Sequence, residues 1–125
     1  MESKNSAAEV ALSYIRTLDS QEYDAVWSYL GEGIRVKGPS GESFSTAREF
    51  IEMLRLYRGK YNLKKVFADG DDVCLLYDLA TPAATVFMCS WYQVKEGKIV
   101  SIQTVFDPRA FGSMAERKND KKQGT

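Results

Sequence analysis

The stretch from Asp72 to Asp107, DVCLLYDLATPAATVFMCSWYQVKEGKIVSIQTVFD, leaves this chain few folds to choose from. Three runs rich in Val, Ile, Leu, Phe, Tyr and Trp are separated by two short breaks, Thr81-Pro82-Ala83 and Glu96-Gly97. Proline cannot donate to a strand ladder and glycine takes positive φ without penalty, so both breaks favour turns. Breaks this short make successive strands antiparallel. Upstream, Asp69-Gly70-Asp71 is a further hairpin signal, joining a strand over Tyr61–Ala68 to the same meander. A curved sheet of this kind has one face to bury, and the N-terminal half must cover it.

That half reads as helices. Ser6 and Glu9 form a capping box, and Val10, Tyr14 and Leu18 then fall on one face beside Ala11 and Ile15, with an end near Asp19-Ser20. A second helix is expected from an Asp19 or Ser20 cap, carrying Tyr23, Val26, Trp27 and Leu30 and closing at Gly31. A short strand follows over Gly33–Lys37, stopped by Gly38-Pro39, and Pro39–Ser43 reads as a turn-rich loop. Thr46 and Glu49 cap a third helix with Phe50, Ile51, Leu54 and Tyr57 on its apolar face, ended by Gly59. The expected fold class is α+β: a curved, mainly antiparallel sheet with three helices over its concave side. Residues 6–111 are expected to form one domain, with residues 1–5 disordered and 112–125 a charged, disordered tail.

Histidine is absent, which removes Ser-His-Asp and Cys-His chemistry and imidazole metal sites. Any acid–base group must be Asp, Glu, Tyr, Lys, Cys or a bound water. No metal or cofactor is expected. Lys plus Arg and Asp plus Glu number 17 each, so no overall charge draws the chain to nucleic acid or to an anionic membrane. The two cysteines, Cys74 and Cys89, read as small buried hydrophobes, or else as a reactive thiol in a pocket. No apolar run is long enough to span a membrane, and the polar start MESKNS lacks a signal-peptide core, so a reducing cytoplasm is expected.

Several segments, ALSYIRTLDSQEYDAVWSYL, VKGPSG, STAREFIEML and GKIVSIQTVFDPRAF, resemble the superfamily of nuclear transport factor 2, ketosteroid isomerase and SnoaL-like polyketide cyclases over roughly residues 6 to 111. The resemblance implies a cone-like bent sheet wrapped over a long helix, with a pocket at its open end, and commonly a homodimer through the sheet. Combined with the period-two pattern, it implies a lining of Tyr14 and Leu18 from the first helix, Val36 and Gly38 from the first strand, Phe87, Cys89 and Trp91 from the next-to-last strand, and Ile102, Thr104 and Phe106 from the last. Met88, Ser90 and Tyr92 then fall on the convex face.

Ketosteroid isomerases use a helix-1 tyrosine, a strand-end aspartate as base and a protonated aspartic acid. The resemblance places the tyrosine at Tyr14, but the base position is Gly38 and the second acid falls at Cys89 or Ser90. Glycine carries no proton, so the isomerase mechanism lacks its base. Limonene-epoxide hydrolases use an Asp-Arg-Asp set, for which Asp78, Asp107 and the arginines 35, 48, 55 and 109 are the available groups. Asp78 and Asp107 are therefore the remaining catalytic candidates beside Tyr14, although Asp78 also fits a solvent face and Asp107, before Pro108, a strand-ending cap. The expected ligand is a small, apolar, partly cyclic molecule. The competing expectation is a non-catalytic module that pairs through its sheet.

Overall fold

A computed structural model describes residues 6–39, 41, 43–44 and 46–110. The first helix, α1 (Ala7–Asp19), begins with the reciprocal capping box of Ser6 and Glu9, at 3.0 and 3.1 Å. The second, α2 (Tyr23–Val26), is a single turn continued by a 3₁₀ turn over Trp27–Tyr29. Then come β1 (Leu30–Lys37), β2 (Ser43–Phe44), α3 (Ala47–Leu56), β3 (Lys60–Asp69), β4 (Asp72–Ala80), β5 (Thr85–Lys95) and β6 (Lys98–Val105). The expected terminal segments, residues 1–5 and 112–125, lie outside the described residues.

The six strands form one sheet in the order β2-β1-β6-β5-β4-β3. The meander β3 to β6 is antiparallel throughout, while β1 lies parallel to β6, which makes the sheet mixed. The fold is α+β, three helices on a curved six-stranded sheet. Two hairpin turns follow their sequence signals. Glu96 and Gly97, both at positive φ (51° and 79°), sit between the paired Lys95 and Lys98, as a two-residue turn matched to strand twist requires. At the other hairpin Asp69 pairs with Asp72, so the central residues are Gly70 and Asp71, with Gly70 at φ 61°.

The second helix is shorter than expected. Strand β1 begins at Leu30 rather than Gly33, and Gly31 is a strand residue, not a helix end. Leu30 pairs with Ile99 of β6, so tertiary pairing overrides the local helical spacing. Asp19, expected as a cap for α2, instead accepts the Tyr61 N–H at 2.8 Å and faces the Lys60 ammonium at 3.3 Å, tying the end of α1 to the start of β3.

Burial alternates along the meander. Val73, Leu75, Tyr77 and Leu79 of β4 and Val86, Met88, Ser90, Tyr92 and Val94 of β5 point inward and are buried. They meet Val10, Ala11, Tyr14, Ile15 and Leu18 of α1. Each aliphatic side chain fully buried this way contributes about 1.5–3 kcal/mol. On β6 the register slips by one residue between Val94–Ile99 and Gln93–Ser101, so Ile99 and Ile102 both face inward.

Candidate functional site

Between α1, α3 and the concave face of the sheet lies a cavity of about 390 Å³. Part of its wall is apolar. Phe50, Met53 and Leu54 come from α3, Phe44 from β2, and Phe106 and Pro108 from the chain beyond β6. The Phe44 and Phe50 rings stand 5.9 Å apart. The polar groups lie on the sheet and on α1: Tyr14, Tyr61, Tyr77, Ser90, Tyr92 and Thr104 all border the cavity.

Tyr14 is brought in by its place on the buried face of α1, where Val10 and Leu18 stand one turn to either side. It is 2% exposed, and its ring meets Tyr92 edge-on at 5.6 Å. Its hydroxyl makes no hydrogen bond among the described residues. On the sheet, the Tyr77 hydroxyl lies 2.8 Å from Ser90 Oγ, which lies 2.9 Å from Thr104 Oγ1. Among the described residues Ser90, 1% exposed, is the one buried core residue that is not a hydrophobic or a tyrosine, and it sits at the middle of this chain of hydroxyls. Burial pushes the phenols of Tyr14, Tyr61 and Tyr92 well above the ordinary tyrosine range, and their mutual proximity adds to it. Tyr77 is raised less, because Ser90 and Tyr92 hydrogen-bond to its phenol. At neutral pH these groups are therefore neutral donors and acceptors, not bases.

The lining contains no Asp, Glu or Cys among the described residues; Lys37 is its sole charged residue, and it is exposed. Of the residues expected from sequence, Tyr14, Val36, Gly38, Ile102, Thr104 and Phe106 border the cavity. Leu18 does not: it is 2% exposed and packs in the core one turn beyond Tyr14. Phe87, Cys89 and Trp91 are corrected as well, since they lie on the opposite face of β5. Phe87 is 54% and Trp91 42% exposed, while Met88, Ser90 and Tyr92 take the inward places. A shift of one residue exchanges the two faces of a strand.

Both carboxylate candidates also lie outside. Asp78 shares the outward face of β4 and pairs with Lys64 at 3.3 Å. Asp107 is exposed and binds its neighbour Arg109, through the backbone N–H at 3.0 Å and the guanidinium at 2.8 Å, which holds its carboxyl below the usual range. Arg55 is engaged by Asp24 at 3.0 Å. No Asp-Arg-Asp set faces the cavity among the described residues. Cys74 and Cys89 are half-buried on the outward face, neither core residues nor pocket thiols. Burial and the nearby Cys89 raise the Cys74 thiol above its ordinary value, so it stays protonated.

Among the lining residues that sequence reasoning missed are Met88, Ser90 and Tyr92 of β5, Tyr61 and Tyr77 of the neighbouring strands, and the α3 side chains. The signal was the other half of the alternation on β5. Val86, Met88, Ser90, Tyr92 and Val94 include one polar residue, whereas the set of Thr85, Phe87, Cys89, Trp91, Gln93 and Lys95 ends in an amide and a charge.

Among solved structures, an NTF2-like protein of unknown function from Cytophaga hutchinsonii is similar at 27% identity and TM-score 0.80, over 89% of this chain and 98% of that one. A candidate ketosteroid isomerase from Kribbella flavida matches at 16% identity and TM-score 0.75, over 81% of this chain and 77% of that one. An LEH-like epoxide hydrolase from M. tuberculosis matches at 20% identity and TM-score 0.68, over 83% and 84%. The last two likenesses are of fold. A search of curated proteins gave no match. The model of the SnoaL-like domain matches residues 11–102, so the chain belongs to the SnoaL-like family of the NTF2-like superfamily.

Proposed function

We propose that this protein binds a neutral, largely apolar, partly cyclic small molecule that carries a carbonyl or hydroxyl oxygen. The observation that carries this reading is Tyr14, a phenol 2% exposed, bordering the cavity, whose hydroxyl has no hydrogen-bond partner among the described residues. Unlike the Tyr23 hydroxyl, it is not sealed away from the cavity, so a ligand oxygen or a water can partner it there. The volume and apolar walls suit a small ring system. Proton abstraction from carbon by a carboxylate has no support here, because Gly38 stands where the related isomerases place their base and the described lining holds no Asp or Glu. Isomerase- or cyclase-like chemistry, if the ligand undergoes it, must use phenols or water. A cytoplasmic setting belongs to the same reading.

The test is a calorimetric titration with three probes of one skeleton: 2-naphthol, naphthalene and 2-naphthoate. The expected order is 2-naphthol first, naphthalene weaker and 2-naphthoate weakest, because Lys37, the one charged residue of the described lining, is exposed and screened by solvent. Absence of 2-naphthol binding, or tightest binding of the anion, contradicts the reading.

A second reading, pairing of two copies through the sheet, is favoured by the outward face of the meander. Phe67, Cys74 and Trp91 form one rung there and Leu76, Cys89 and Val105 the next, with Phe87 beyond. Phe67, Phe87, Trp91 and Val105 are 42–57% exposed. Each offers about 100 Å² of apolar surface, together about half of the roughly 800 Å² per partner in a standard interface. The occupant this supports is a second copy across a two-fold axis. Sedimentation should give a dimer at micromolar concentration and a monomer for Trp91→Glu; a monomeric parent protein removes this reading.

A further inference from the structure

The three hydroxyls on the concave face of the sheet form a line whose direction is free. Tyr77, Ser90 and Thr104 have one proton each and share two hydrogen bonds, of 2.8 and 2.9 Å, and in each bond either oxygen can donate. When Tyr77 donates to Ser90 and Ser90 to Thr104, the Thr104 proton is left over and points to whatever lies in the cavity. When the line reverses, Thr104 donates to Ser90 and Ser90 to Tyr77, so the Thr104 oxygen is left as an acceptor and the Tyr77 proton is the one left over. Thr104 is the half-buried end of the line, whereas Ser90 and Tyr77 are buried at 1% and 4% exposure. All three border the cavity, Thr104 as the least buried of them, and the other two set whether the Thr104 end gives or takes a proton.

We propose that this reversible line makes the cavity a site for an oxygen that exists in both carbonyl and hydroxyl forms, so that a cyclic ketone and its alcohol bind with nearly equal affinity. This rests on the reading of the cavity as a small-molecule site and names the class of ligand it takes. A fixed donor favours the ketone, because an alcohol can accept from it but leaves its own proton without a partner. The line removes that penalty by turning round. Both hydrogen bonds are kept in either direction, and no charge enters the cavity in either.

The experiment compares 2-tetralone with 2-tetralol by calorimetry, in the parent protein and in the double variant Tyr77→Phe/Tyr92→Phe, which keeps every ring and removes the phenols behind Ser90. In the parent the two affinities should agree within about threefold, well inside the value of one hydrogen bond. In the double variant Thr104 is the one hydroxyl partner left to Ser90, which favours Thr104 as a donor to the cavity. The ketone should then be preferred by about tenfold, the order of effect of one unpartnered buried proton. Thr104→Val, which removes the end that meets the ligand, should weaken both probes and leave no preference. A preference above about tenfold in the parent, or an unchanged ratio in the double variant, overturns the inference and leaves the binding site standing. Failure of both probes to bind the parent protein overturns the binding reading along with it. Should the double variant not fold, Tyr77→Phe alone is the second arm: it should move the ratio in the same direction by a smaller factor, and no movement counts against the line.

Discussion

Asp78 and Lys64 stand 3.3 Å apart on the outward face of the sheet, with side chains 25% and 50% exposed. An exposed pair of this kind contributes about 0–1 kcal/mol. Asp78→Asn should therefore shift the melting temperature little and leave 2-naphthol binding as it is, measured by calorimetry; a loss of binding would return Asp78 to the cavity. At this scale the sequence was informative where a residue's face follows from a long amphipathic run. Tyr14 is fixed on the buried face by Val10, Ala11, Ile15 and Leu18 around it, while its place bordering the cavity, which Leu18 on the same face lacks, was what the resemblance implied. Asp107 could not be placed in the same way, because its partner Arg109 is a local neighbour and the same turn residues serve a cap or a site equally well.

Among the elements, α1 holds its start through side-chain hydrogen bonds as well as packing. Ser6→Ala removes the acceptor for the Glu9 N–H at 3.1 Å, and should cost about 0.5–2 kcal/mol, read as a lower denaturant midpoint with an unchanged slope. No change at all would mean that the packed face alone holds the helix. The meander strands were legible because hydrophobic runs, Pro82 and the positive-φ hairpin glycines bound them on both sides. Which face of β5 looks inward was not, because Phe87 and Trp91 are larger apolar residues than Met88 and Ser90 and drew the reading outward. Local hydrophobicity names the richer face, but the register to β4 and β6 decides the buried one. The parallel pairing of β1 with β6 had no local signal, since it joins residues such as Arg35 and Ser101, far apart in the chain.

For the whole molecule, the absence of histidine and a set of phenols with raised pKa values set the response to pH. Nothing described here has its ordinary pKa between about pH 5 and 8, so the melting temperature should be flat across that range. Above it the sign is fixed by protons. Tyr14, Tyr61, Tyr77 and Tyr92 have folded pKa values raised above the ordinary tyrosine value, so the unfolded chain loses these protons first. Stability then falls as pH rises through about 10, and the melting temperature with it; Cys74 starts the same trend somewhat earlier. A melting temperature that rises above pH ~10 would show that these phenols are not buried as described. The cavity itself is a whole-molecule property. Its walls come from α1, α3, β1, β2 and the meander together, and no single segment of sequence announces it.

The central claim, that Tyr14 meets a ligand rather than the protein, is tested most directly by melting and 2-naphthol titration on the single variant Tyr14→Phe. Its hydroxyl has no hydrogen-bond partner among the described residues, so removing it should leave the melting temperature unchanged or slightly higher. The same change should weaken 2-naphthol binding by about 0.5–1.5 kcal/mol, the net value of one neutral hydrogen bond. A lowered melting temperature with unaltered affinity would contradict the account and assign Tyr14 to the core alone.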